Sequence, residues 1–393
     1  MSATQPVIAG IAELAPEFIE LRHRLHAHPE LAFQETRTSD LVAQRLTEWG
    51  YAVHRGIGRT GLVGVLREGH GSKTVGLRAD MDALPIREAT RLPYASTNEN
   101  TMHACGHDGH TAMLLCAARY LAATRRFSGT LNLIFQPAEE NFGGGKAMLD
   151  DGLFERFPCD AIFALHNMPG RPAGDMAFRT GPAMASYDRV TITLRGMGGH
   201  GALPHLARDP MSAAGGLMVA LQTIVARDVD ARQAAVITVG SVRAGETFNV
   251  IPETVEMKLS VRALDAEVRG QLARRITQLA QGHATAYGLT AVVDYDYGYP
   301  VLVNHAAPTE FARGIARELL GDARVEAQAP PLMGSEDFAY MLEARPGCYA
   351  LLGNGLEGCH GRMVHHPGYD FNDEILAISA SYWVRIAQGW LAA

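Results

Sequence analysis

The segment Met102-His103-Ala104-Cys105-Gly106-His107-Asp108-Gly109-His110 places a thiol, three imidazoles and a carboxylate within nine residues. Further along, Pro137-Ala138-Glu139-Glu140 sets two carboxylates side by side after an apolar run. Sulfur, imidazole and carboxylate together are the donor set of a borderline transition metal. A spare carboxylate beside a metal-ligating one is what activation of water requires. The two segments therefore point to a metal-dependent hydrolase. Cys105 and His107, one residue apart in a Gly-containing loop, are the candidate ligands, with a helix beginning near Thr111 behind them. A helix N-terminus lowers a thiol pKa and favours an anionic ligand. His103, Asp108 and His110 are candidates for orienting those ligands.

Adjacent glutamates repel, and burying both is costly unless a cation compensates one of them. By themselves they would equally suit a solvated loop. His166 in Ala164-Leu165-His166-Asn167 closes an apolar run, where a lone histidine satisfied by a backbone carbonyl would be unremarked. His365 and His366 precede Pro367 in a late loop, and spacing alone selects neither. Gly198-Gly199-His200-Gly201 puts His200 on a glycine-rich elbow. Asn249 and Arg262 flank an alternating strand, Arg262 being able to clamp a carboxylate with two hydrogen bonds or simply to face solvent. Glu336, in Gly334-Ser335-Glu336-Asp337, is a further candidate for supporting the ligands, although Ser335 also suits a helix cap.

The elements that must carry these residues follow from periodicity. Helices are expected over 7–28 and 35–49, then strands over 74–79, 130–135 and 161–165, the last ending at His166. Helices over 111–123 and 145–151 intervene. Alternating strands and helices predict an α/β layer built on a mixed, largely parallel sheet flanked by helices. Asp80, Asp82, Glu139, Glu140 and His166 then fall at C-terminal strand ends, the edge where open α/β sheets build their sites. From 186 to 295 the texture changes. Val190, Ile192 and Leu194, and later Val255, Met257, Leu259 and Val261, alternate with polar residues, as in a sheet with one buried face. With helices over 209–227 and from Asp265, and strands over 235–242 and 289–297, the order is βαββαβ, that of a ferredoxin-like unit. The expected organisation is a catalytic domain in two segments, 1–185 and 296–393, interrupted by an inserted domain over 186–295.

Composition sets the class. The chain has 393 residues, 47% apolar and 20% charged, with a net charge of −7, which suits a globular protein of two domains. It shows no basic stripe for nucleic acid and no apolar run long enough for a membrane span. Met1 to Glu20 lacks the basic flank and apolar core of a secretory signal, and five sparse cysteines suit a reducing compartment, so a cytoplasmic location is expected.

Taken in order, these motifs resemble the aminoacylase and hippurate hydrolase group of co-catalytic metallopeptidases, which includes plant auxin-conjugate amidohydrolases. The resemblance runs from Arg24-Leu25-His26-Ala27-His28-Pro29-Glu30-Leu31 to His365-His366-Pro367 and is carried most specifically by Cys105–His110 and Pro137–Glu140. It implies a zinc-exopeptidase-like catalytic domain and a dimerisation domain in the insert, hence a homodimer. It implies two divalent ions per chain, zinc, manganese, cobalt or nickel, held by Cys105, His107, Glu140, His166 and His365, with Cys105 bridging. Glu139 would be the general base. His200 would stabilise the oxyanion in its own or a partner's site, and Asn249 and Arg262 would hold the substrate carboxylate. The family's His-x-Asp motif is replaced here by Asp80-Met81-Asp82, so these aspartates are expected to support ligands. The implied reaction is hydrolysis of N-acyl amino acids, with a dipeptidase or carboxypeptidase as the alternative, and a Cys105 nucleophile as a metal-free one.

Overall fold

The computed structural model describes residues 6–392; the opening five residues of the segment weighed as a signal lie outside them. The chain divides into two compact units. One comprises Met1–Gly181, Val303–Pro330 and Asp337–Ala393; the other comprises Pro182–Leu302 and Pro331–Glu336.

The first unit is built on an eight-stranded sheet. Its strands lie in the order Ala52–Arg55, Leu62–Glu68, Gly129–Gln136, Thr74–Asp80, Ala161–Pro169, Gly347–Gly355, Met176–Ala177, Val325–Glu326. The centre is parallel: Thr74–Asp80 pairs parallel with both Gly129–Gln136 and Ala161–Pro169, which in turn pairs parallel with Gly347–Gly355. At one edge, Ala52–Arg55 pairs antiparallel with Leu62–Glu68, which pairs antiparallel with Gly129–Gln136. The sheet is mixed and largely parallel, as the alternating strand and helix texture implies. Its central strands are buried nearly end to end, which is why they read as apolar runs rather than as alternations.

The helix His107–Thr124 is buried continuously from His107 to Ala118, and it packs against the helices Ala9–His26 and Leu376–Trp390. A helix apolar on every side has to be enclosed in this way. Its N-terminus, where the motif residues lie, is thereby fixed in the core.

The second unit is a four-stranded antiparallel sheet in the order Ala235–Arg243, Thr254–Ala263, Asp188–Arg195, Thr290–Tyr297. Strand Thr254–Ala263 alternates in burial, as its sequence does. Two helices complete the ferredoxin-like order. Asp209 caps Pro210–Thr223 by accepting from the Met211 N–H, and Asp265 caps Ala266–Ala286 by accepting from Glu267 and Val268. The first of these helices passes into a π-turn at Ile224–Asp228 instead of running on to 227. The unit has its own core, including Val190, Ile192, Leu217, Met257, Leu259 and Ile276. No helix among the described residues is long and apolar enough to cross a membrane.

Candidate metal centre

The Cys105-Gly106-His107 turn is made possible by its glycine. Gly106 has φ +88°, and a Cβ there would stand 2.4 Å from Asn167 Oδ1 and 2.5 Å from the Tyr369 hydroxyl. This left-handed residue turns the chain into the helix at His107 rather than near Thr111, so His107 through His110 form the first helical turn. His107 Nδ1 lies 2.9 Å from the Asp82 carbonyl and 3.2 Å from its Oδ1. That bond commits the ring proton to Nδ1 and presents Nε2, which is buried without a hydrogen-bond partner. His166 is held the same way: its Nδ1 donates to the Asn167 carbonyl at 2.6 Å, and its Nε2 is 3.4 Å from Cys105 Sγ. His166 sits within its strand, paired with Leu351, because the strand runs on to Pro169 instead of stopping at 165.

Glu139 and Glu140 open the short helical turn Glu139–Phe142 rather than lying in an open loop. Ala138 enters that turn at φ +51°, a left-handed conformation a non-glycine residue adopts only when its surroundings hold it there. Asp82 does much of the holding: its Oδ1 accepts from the Glu139 N–H and its Oδ2 from the Glu140 N–H, each at 3.0 Å. His365 has φ +69°, donates its N–H to the Ala104 carbonyl at 2.7 Å and brings Nε2 to 3.0 Å from Glu140 Oε1. All five expected ligands and Glu139 are thus brought together in the first unit. Cys105, His107 and His166 form one group of donor atoms within 4.8 Å of one another; Cys105, Glu140 and His365 form another, and His107, Glu139 and Glu140 a third.

The electrostatics of the cluster suit a cation. Burial pushes the Cys105 thiol well above its ordinary value, and the carboxylates of Glu140, Glu139 and Asp80 push it further. Burial and the acidic surroundings thus oppose the helix N-terminus at this thiol. Burial alone would lower the His107 imidazole, but Asp80, Asp82 and Glu140 raise it to about 10. Burial and the neighbouring His110 hold His166 well below the ordinary imidazole range. A thiol, an imidazole Nε2 without a hydrogen bond and buried carboxylates gathered together are satisfied by a divalent ion, so the residues present fit one.

The supporting residues are partly those expected. His110 bridges Asp80 Oδ1 and Asn167 Oδ1, each at 2.6 Å, and Asp80 also receives Arg78 at 2.6 Å. Asp108 turns away from the cluster to bond His26 at 2.9 Å and Arg22 at 3.1 Å. His103 is buried with neither ring nitrogen hydrogen-bonded, so it orients none of the ligands. Asp337, the residue after Glu336, reaches the centre. Its N–H points to Glu139 Oε1 at 3.4 Å, while its carboxylate accepts from Gly145 N–H and Gln136 Nε2, each at 2.7 Å, and from Arg78 at 3.3 Å. Arg78 escaped the sequence reading, although a lone arginine inside an apolar strand is itself a signal of a buried counter-charge.

The remaining candidates lie in the second unit. His200 is exposed and pairs with Val250 in a short antiparallel ladder. Asn249, next to it, accepts from the Gly201 N–H at 2.8 Å through its carbonyl. Arg262 donates to the Met333 carbonyl at 2.8 Å and stacks over the Tyr187 ring at 4.8 Å.

Residues 76–389 match peptidase family M20/M25/M40. The chain belongs to that family. Within reach of the M20 sequences, it is 46% identical to a hippurate hydrolase of Campylobacter jejuni over 98% of this chain and 99% of that enzyme. It is 40% identical to an N-acetyl-L-cysteine deacetylase of Bacillus subtilis over 95% of this chain and 88% of that one. A dinuclear metal-binding peptidase of the M20 family, also from Bacillus subtilis, has the same fold, with TM-score 0.83 and 32% identity over 97% of this chain and 99% of that one.

Proposed function

We propose that this chain is a metal-dependent amidohydrolase that cleaves the amide bond of N-acyl amino acids, hippurate-like or N-acetylated. The observation that carries the reading is that Cys105, His107, Glu140, His166 and His365 fall into overlapping groups of metal-donor atoms, with the buried Glu139 sharing one of those groups with His107 and Glu140. The hippurate hydrolase and N-acetyl-L-cysteine deacetylase relatives support the substrate class, and the dinuclear M20 peptidase supports two ions.

The five residues would hold two divalent ions of the zinc, cobalt, nickel or manganese type, Cys105 being common to two of the donor groups. When bound, such ions polarise the acyl carbonyl and make a water acidic enough to attack it. Glu139 takes the proton of the attacking water on its carboxylate. It then delivers that proton to the amide nitrogen as the C–N bond breaks, leaving a free acid and an amino acid. The N–H of Asp337 and the Asp82 clamp on its own backbone keep Glu139 aimed while it does so. Asn249 and Arg262 hold the substrate carboxylate, and His200 stabilises the oxyanion, in its own or a partner's site. The second unit mediates a homodimer, and the enzyme works in the cytoplasm. A Cys105 nucleophile with His107 as its base is disfavoured, because His107 Nδ1 is engaged by Asp82 and the clustered Glu139 and Glu140 would be left without a role.

The test is benzoyl-glycine hydrolysis on protein purified without added metal, assayed with metal content before and after chelation and add-back. The reading expects stoichiometric metal, with activity lost and restored in step. Turnover indifferent to chelation, on protein free of metal, would overturn it. Arg262→Ala is expected to raise KM for benzoyl-glycine more than it lowers kcat.

A further inference from the structure

Cys359, His360 and Asp370 bring a sulfur, an imidazole nitrogen and a carboxylate oxygen within 4.8 Å of one another. None of the three belongs to the Cys105 cluster, and no step of the proposed hydrolysis uses them. Their meeting is built by the backbone. The buried strand Gly347–Gly355 ends, the chain turns, and it returns at Asp370, whose N–H points to the Cys359 carbonyl at 3.4 Å. Asn354, fully buried, staples the two sides: its Nδ2 donates to the His360 carbonyl at 2.9 Å and to the Asp370 carbonyl at 3.0 Å, and its Oδ1 accepts from the Asn372 N–H at 2.9 Å. The three donors are therefore pre-positioned by a satisfied amide rather than by a flexible loop.

Their spacing and charge suit a cation. His360 Nε2 and Asp370 Oδ2 stand 3.5 Å apart, long for a hydrogen bond between them. Two nitrogen or oxygen ligands of one tetrahedral zinc, each at about 2.0–2.2 Å from it, lie roughly 3.4 Å apart. Asp370 Oδ1 accepts from Arg22 at 3.2 Å and Oδ2 from the Tyr94 hydroxyl at 2.9 Å. Arg22 does not cancel the negative charge, since Asp108 at 3.1 Å and Asp373 at 2.7 Å share the same guanidinium. Oδ2 is the oxygen that faces His360. A sulfur, nitrogen and oxygen set selects zinc-class ions over magnesium or calcium. Three protein ligands leave a fourth position to water, as in open rather than purely structural zinc sites.

We infer that Cys359, His360 and Asp370 form a binding site for one zinc-class divalent cation, distinct in its donors from the Cys105 cluster. The ion ties together the two ends of the 359–370 segment, which carries His365 between them.

The wild-type chain allows a direct test, because Cys359 is half-buried while the other four cysteines are buried. Iodoacetamide labelling of the native protein, mapped by peptide mass, reads Cys359 separately. Saturating zinc is expected to slow alkylation at Cys359 about tenfold or more, because the thiolate is both the nucleophile and the ligand. Magnesium at the same concentration is expected to leave the rate unchanged. His360→Ala and Cys359→Ser are each expected to bind one zinc fewer per chain than wild type by equilibrium dialysis. Equal alkylation of Cys359 with and without zinc would overturn the site, whatever the hydrolase assay shows.

Discussion

At the scale of single residues, the centre turns on Asp82 as much as on the ligands. Its two oxygens seat the backbone of Glu139 and Glu140, and its carbonyl fixes the His107 ring. Asp82→Ala is therefore expected to weaken metal binding about 10–100-fold while the chain stays folded, measured by competition with a chromophoric chelator. Retained affinity would show that the clamp is dispensable. Glu139→Gln separates base from ligand: metal content should match wild type while kcat falls about 10²–10⁴-fold. A Gln variant with wild-type turnover would remove Glu139 from the mechanism. The donor residues themselves were legible, because Cys, His and Glu at such spacing are rare without a metal. Asp82 was legible only as a supporting residue, since what it seats comes from a segment more than fifty positions away.

At the scale of elements, the site depends on two left-handed entries, at Gly106 and at Ala138. Gly106→Ala combines a positive φ with a Cβ 2.4 Å from Asn167 Oδ1. The backbone strain alone costs about 1–3 kcal/mol, and the collision adds to it. Gly314, inside the helix Ala306–Leu320, is the opposite case: a Cβ there meets nothing within 4 Å. Gly314→Ala is expected to stabilise by about 0.4–1 kcal/mol. Urea unfolding of both variants checks the pair, and a stabilised Gly106→Ala would refute the argument from its geometry. Periodicity located most helices and strands to within a few residues. It missed the start of the helix at His107, because a polar motif masks the first turn. It also stopped the strand of His166 too early, because the polar pair His166-Asn167 is buried by neighbouring strands rather than ending the run.

At the scale of the whole molecule, a buried ionic network ties the N-terminal helix to the motif helix and to the late loop. Arg22 meets Asp108, Asp370 and Asp373, and His26 meets Asp108 at 2.9 Å and Glu88 at 3.4 Å. Burial alone would lower the His26 imidazole, but Asp108 and Glu88 raise it to about 9 from its ordinary 6.5. A raised imidazole contributes stability that is fully present below 6.5 and is lost as pH rises through about 9. The stability difference between wild type and His26→Gln should therefore be largest near pH 6, about 1–3 kcal/mol, and shrink towards pH 10. Thermal unfolding across that range measures it, and a difference independent of pH would mean that His26 is held neutral.

What the sequence determined by itself was local: the donor types, the α/β alternation and the one-sided strands of the second unit. Each of these is written in neighbouring residues, through ligand chemistry or through a repeat of two or 3.6. What only the tertiary structure decided was partnership at a distance. Arg78 finds Asp337 across 259 positions and Arg22 finds Asp370 across 348. Such pairs carry no local signature, because a buried charge records only that it needs a partner. Packing of the sheet and its helices determines which residue answers it.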